Sequence, residues 1–130
     1  EGAEKTLMGW HIDPGAFRDM LVETSSRYGL PVYVTENGMA DDVEPDASGT
    51  VNDEARVSYL QRYLGAVKDA RDAGADVRGY LVWSMLDNFE WAMGYGPRFG
   101  IVHVDYATQK RTPKASYHLL AKLAGAAATA

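Results

Sequence analysis

Apolar residues recur at helical spacing over residues 14–28, run together over 32–35, and return to helical spacing over 57–67. They run together again over 77–83 and are spaced for a helix once more near the end of the chain. Asp13 is a good N-cap with Pro14 at the first helical position. Phe17, Met20, Leu21, Thr24 and Tyr28 then form one face, and Gly29 is the predicted C′ stop. After Leu30-Pro31, the residues Val32, Tyr33, Val34 and Thr35 fit a packed strand, whose start tolerates a proline. Glu36 falls at the C-terminal lip of that strand, before Asn37-Gly38.

Residues 39–51 hold Asp41, Asp42, Glu44, Pro45, Asp46 and Gly49 with no apolar period, which predicts a loop. The loop is long for a strand-to-helix connection, a length often associated with function. Asn52-Asp53 opens a second helix, with Val57, Leu60, Leu64 and Val67 inward and Glu54, Gln61, Lys68, Asp69 and Asp72 toward water. Gly74 is the expected stop. The 77–83 run is nearly continuous in apolar character after Arg78, as in a parallel strand buried on both faces. A second long excursion covers 84–100, and 101–105 could add a short strand. Thr112-Pro113 opens a last helix with Leu119, Leu120 and Leu123 along its buried side. Residues 124–130 lack anchors and should fray.

Helix, strand, helix, strand, helix is the order of an α/β protein with a parallel sheet and right-handed crossovers. The chain of 130 residues suffices for one domain with a modest core. It is short of the about 250 residues of an eight-fold barrel, and two parallel strands leave two open edges. A net charge of −5 and no basic cluster longer than Lys110-Arg111 argue against a nucleic-acid partner. The absence of cysteine excludes disulfides and thiolate metal sites. No run approaches the ~18 apolar residues of a membrane span, and residues 1–5 lack the apolar core of a secretory signal. The pattern is that of a soluble chain without a membrane partner.

Two carboxylates stand out. Glu36 is either a nucleophile or general base held at a strand end, or a solvated residue in the Asn-Gly turn of a hairpin. No returning strand begins within five residues of Gly38, which weakens the hairpin. Glu90 and Trp91, with Trp83 upstream, combine hydroxyl-binding and ring-stacking groups suited to a sugar. The alternative is an aromatic cluster that staples a loop to the core. Asp87 and Asn88 could bind substrate, but capping or turn formation suits both better. Glu44-Pro45 reads as a solvated turn. His11, His103 and His118 lack metal-ligand spacing, and neither a Ser-His-Asp order nor a phosphate loop is present.

Thr35-Glu36-Asn37-Gly38 together with Trp83-Ser84-Met85-Leu86-Asp87-Asn88-Phe89-Glu90-Trp91 resembles the C-terminal part of family 1 glycoside hydrolases, of which bacterial β-glucosidases are the best known. Gly94-Tyr95, Arg98-Phe99-Gly100-Ile101-Val102 and Thr108-Gln109-Lys110-Arg111-Thr112-Pro113-Lys114 extend the likeness, which runs from about Met8 to Tyr117. The resemblance implies that residues 1–130 are the C-terminal fragment of a single TIM (β/α)8 barrel, supplying its seventh and eighth βα units. It implies Glu36 as nucleophile, with Glu90 and Trp91 bonding the glycone hydroxyls. It further implies Trp83 stacking beneath the sugar, Phe99 shaping the pocket, Trp10 lining the aglycone side, and a cis peptide between Trp83 and Ser84.

Some positions depart from the family pattern. Tyr63 replaces a frequent histidine, with an expected effect on packing. Met93 replaces a polar residue near the aglycone entrance. The Asn-Glu-Pro motif that carries the family's acid/base is missing, as are the upstream glycone-binding residues. The implied function is therefore part of a retaining β-glucosidase acting on a β-glucoside or cello-oligosaccharide. On that reading the chain needs the N-terminal segment of the same barrel, is inactive alone, and uses no metal or organic cofactor. The alternative is a non-catalytic sugar-binding or structural half-barrel. Family habit and the lack of cysteine suggest a cytoplasmic location.

Overall fold

A computed structural model describes residues 2–127. It is mixed α/β. Helix α1 covers Pro14–Tyr28, strand β1 Val32–Asn37, helix α2 Glu54–Asp72 and strand β2 Val77–Val82. A single 3-10 turn, Trp91–Met93, precedes strands β3, Val102–Val104, and β4, Arg111–Pro113, and helix α3 covers Ala115–Ala127. The punctuation of α1 is as its sequence implies. The Asp13 carboxylate accepts from the Ala16 N–H at 2.9 Å, and Gly29 closes the helix at φ +61°.

Strands β1 and β2 lie side by side and parallel, with Val34 opposite Tyr80 and Asn37 opposite Val82. This excludes the hairpin alternative for Glu36. Helices α1 and α2 cover one side of the pair. There Leu21, Val34, Ala70, Ala75 and Val77 form one core, bordered by Phe17 and Tyr80. The same two residues border a second core of Met39, Tyr59, Leu60, Tyr63, Ile101 and Val102, against which Leu119 and Leu120 of α3 pack. Full burial of a side chain such as Leu60 is worth about 1.5–3 kcal/mol.

Several helical and strand faces differ from the periodicity. In α1 the buried residues are Leu21 and Ser25, while Met20 and Tyr28 are exposed. Ser25 turns inward because its hydroxyl accepts the Asp76 N–H at 2.9 Å. The buried stripe of α2 runs through Arg56, Tyr59, Leu60, Tyr63, Ala66 and Ala70, rotated from the Val57–Leu64 face because Arg56 is paired inside. Strand β2 is not covered on both faces, since Leu81, like Tyr33 of β1, stands open. Leu123 is exposed as well.

Thr112 and Pro113 belong to β4, which pairs antiparallel with β3, so α3 opens later, at Ala115. The connecting turn is built by Asp105, whose carboxylate accepts from the Ala107 N–H and the Thr108 hydroxyl. Helix α3 continues to Ala127, so residues 124–127 are helical, and the remainder of the expected tail lies outside the described residues. Among the described residues no helix is long and apolar enough to cross a membrane.

Candidate active site

Parallel pairing brings the C-terminal ends of β1 and β2 to the same end of the sheet. Glu36 and Trp83 therefore emerge together. The Trp83 N–H donates to the Asn37 carbonyl at 2.9 Å, and the Trp83–Ser84 peptide is cis. Gly38 packs its Cα against the Trp83 carbonyl, where any Cβ would collide with backbone.

The excursion after β2 folds back onto its own beginning. Ser84 N–H donates to the Phe99 carbonyl at 3.1 Å, and Ile101 N–H returns a bond to the Ser84 carbonyl at 2.9 Å. Within it, Glu90 N–H donates to the Gly94 carbonyl at 2.7 Å and closes a tight turn. Trp91, at φ +41°, and Gly94, at φ +63°, make that turn possible. The turn holds the Trp91 indole out, 82% exposed. Phe99 is buried, and its ring lies 5.9 Å from that of Trp10.

A cavity of about 380 Å³ opens at this end, lined by Trp10, Glu36, Trp83, Glu90, Trp91 and Phe99. All six candidate side chains meet there. Asn37, Gly38 and Tyr59 complete the lining. Two carboxylates among aromatic rings can accept hydroxyl hydrogen bonds while apolar ring faces stack. A larger apolar cavity of about 560 Å³ lies between α2, β2 and α3, but no carboxylate lines it. Among the described residues no three His, Asp or Glu side chains gather as a metal site.

Tyr59 had no periodic or motif signal for the site. It enters because α2 turns that face inward, and burial pushes its phenol well above the usual value. Its ring stacks on Tyr63 at 4.1 Å, and the Tyr63 hydroxyl accepts from Asp13 N–H at 3.1 Å. The tyrosine that departs from the family pattern is thus a packing residue, set against Tyr59 of the cavity wall.

Behind the cavity lies a buried cluster of charges that periodicity does not reveal. Arg56 is fully buried and pairs with Asp53 at 2.6 Å and Asp41 at 2.9 Å. It also donates to the carbonyls of Met39 and Arg98. Asp53 caps nothing in α2. Instead it accepts from the N–H and hydroxyl of Ser116. Asp87 accepts from Lys114 at 3.1 Å, Arg98 at 3.0 Å, Gly100 N–H at 2.9 Å and Val104 N–H at 3.2 Å. Three acids thus face three bases. Burial raises the Asp41 carboxyl above its usual range against the pull of Arg56 and Lys114, and burial lowers the Lys114 ammonium.

Two sequence assignments change here. Asp87 is a buried hub of charge pairs and backbone bonds, not a local cap or turn former. Glu44 is exposed but not merely solvated, because it joins Arg98 at 2.7 Å and His103 at 3.0 Å. Arg56 shares the buried face of α2 with Tyr59 and Leu60, three and four residues on, but nothing in that spacing names its partners.

The chain matches the family model for glycosyl hydrolase family 1 over residues 1–128. It is 51% identical over 117 residues to a bifunctional beta-D-glucosidase/beta-D-fucosidase of Bifidobacterium breve, covering 86% of this chain and 25% of that protein. Beta-glucosidase A of Thermotoga maritima is 49% identical over 113 residues, with 86% and 25% covered. A structure of the beta-glucosidase from Thermotoga maritima in complex with glucoimidazole superposes with a TM-score of 0.93 at 43% identity, over 96% of this chain and 29% of that one. A psychrophilic beta-glucosidase from Micrococcus antarcticus gives 0.93 at 45% identity, over 97% and 27%. The chain thus spans about a quarter of the length of the relatives it matches. On a family match across nearly its whole length, it belongs to glycosyl hydrolase family 1.

Proposed function

We propose that this chain supplies the nucleophile and part of the glycone pocket of a retaining β-glucosidase, as the seventh and eighth βα units of its (β/α)8 barrel. The observation that carries this reading is the convergence of Glu36, Glu90, Trp83, Trp91, Phe99 and Trp10 on one cavity at the C-terminal end of two parallel strands. That end is where α/β barrels hold their chemistry.

Retaining hydrolysis uses two carboxyl groups about 5–5.5 Å apart. A Glu36 carboxylate oxygen attacks the anomeric carbon as the bond from that carbon to the aglycone oxygen breaks. A second carboxylic acid, on the part of the barrel outside this sequence, gives its proton to the departing oxygen. It then takes a proton from water, which attacks the anomeric carbon and releases Glu36. Glu90 and Trp91 bind glycone hydroxyls, Trp83 stacks on the sugar face, Phe99 shapes the pocket and Trp10 borders the aglycone. With only one of the two carboxyl groups present, the chain by itself is inactive, and the N-terminal segment of the barrel is its partner.

Glu36→Ala in the complete barrel tests the assignment with an aryl β-glucoside as substrate. Turnover is expected to vanish and to return on adding azide, which replaces the carboxylate as nucleophile. Undiminished hydrolysis by the variant refutes the nucleophile. Sugar binding without hydrolysis by the unsubstituted complete barrel supports a non-catalytic sugar-binding scaffold instead.

A further inference from the structure

The two walls of the cavity belong to different excursions. Glu36 leads into residues 39–51, whereas Glu90 and Trp91 sit in residues 84–100. The Lys114 side chain touches an anchor of each. Lys114, fully buried just before α3, places its ammonium 3.1 Å from Asp87 and 3.7 Å from Asp41. Asp41 lies five residues beyond Glu36, and its N–H and carbonyl both bond to Arg98, next to Phe99. Asp87 lies three residues before Glu90 and holds the Gly100 and Val104 N–H groups. The Lys114 backbone donates to the Ile101 carbonyl, and its neighbour Ala115 donates to Val51 at the far end of the first excursion. Arg56 reaches Asp41 and the Arg98 carbonyl but makes no ion pair with Asp87, and the Arg98 side chain pairs with Asp87 and Glu44 but not with Asp41; Lys114 alone of the three pairs with both aspartates.

We propose that Lys114 is a positioning residue that sets the spacing between Glu36 and the Glu90–Trp91 turn, through its shared contacts with Asp41 and Asp87. It touches no substrate. The inference rests on the assignment of Glu36 and Glu90 to the reaction. Moving Asp41 or Asp87 away takes from the buried Lys114 ammonium one of its two carboxylate partners, while Arg56 still pairs with Asp41 and Arg98 with Asp87. Misplacement of a reacting group by about 1 Å is enough to cost on the order of 100-fold in rate.

The experiment uses the complete barrel, with active sites counted by covalent trapping with a 2-fluoro glucoside. In Lys114→Met, kcat/KM per trapped site is expected to fall about 10- to 100-fold on an aryl β-glucoside. In a Glu90→Gln background the same substitution should cost no more than about twofold, since the two changes disable one interaction. A role confined to folding would lower Tm and the number of sites while leaving kcat/KM per site unchanged, and that result overturns the proposal. Equal losses with and without Glu90 overturn it too. If Lys114→Met does not fold, Asp41→Asn keeps the side-chain shape, and the same two comparisons made on it support or overturn the proposal in the same way. Wild-type activity in Glu36→Ala or Glu90→Gln would sink the underlying functional assignment instead, so the two failures are distinguishable.

Discussion

The Tyr80 hydroxyl on β2 donates to the Asn37 side-chain oxygen on β1 at 2.6 Å, one residue from Glu36. The bond crosses the only parallel strand pair among the described residues and lies at the end that carries the cavity. Tyr80→Phe in the complete barrel removes the donor and leaves a half-buried acceptor. A stability loss of about 0.5–1.5 kcal/mol is expected from the bond itself. Activity should fall by less than about tenfold, because Glu36 keeps its strand. Thermal melts and steady-state kinetics measure both.

Burial holds the Tyr59 and Tyr80 phenols above their usual value of 10.0. The stabilising contribution of such groups is fully present below the unfolded value and is lost as pH rises toward the folded one. Stability should therefore drop as pH climbs above 10. Lys114, whose value is lowered, has the opposite slope below 10.5. Comparing wild type with Tyr80→Phe cancels that contribution, and the variant's Tm should fall less steeply above pH 10.

Gly38 has no room for a methyl group, since the Trp83 carbonyl fills that position and Trp83 C lies 2.9 Å from an ideal Cβ. Backbone cannot rotate aside as a side-chain end can. Gly38→Ala should cost at least about 1–3 kcal/mol and push the β1 end away from Trp83. The readouts are Tm and a reduced rate of covalent trapping at Glu36.

Arg56 and Glu44 make ion pairs of similar length with very different expected weight. Arg56→Met strands Asp41 and Asp53 in the interior along with two carbonyls, so about 3–5 kcal/mol should be lost. Glu44 is 60% exposed, and Glu44→Gln should cost no more than about 1 kcal/mol, with the loss shrinking in high salt. Denaturant melts of the two variants side by side test the contrast.

Local chemistry sufficed for much of the chain. Asp13-Pro14 and Gly29 bounded α1, and the β-favouring residues before Glu36 and after Arg78 marked the parallel strands. The Thr35-Glu36-Asn37-Gly38 and Trp83–Trp91 motifs hold Glu36, Trp83, Glu90 and Trp91, whereas Trp10 and Phe99 were reached only through the wider family resemblance. Helix bounds, strand propensity and short motifs depend on neighbours in sequence, so they are legible there. What tertiary structure alone decided is which faces are buried and what lies behind the site. Tyr59 reached the cavity wall, Thr112 and Pro113 became a strand, and Asp87, Lys114 and Arg56 went inside, against their usual preference for water. A buried charge is tolerated only when a partner from a distant segment arrives to compensate it. No residue announces such a partner alone, because the pairing exists only after the chain has folded.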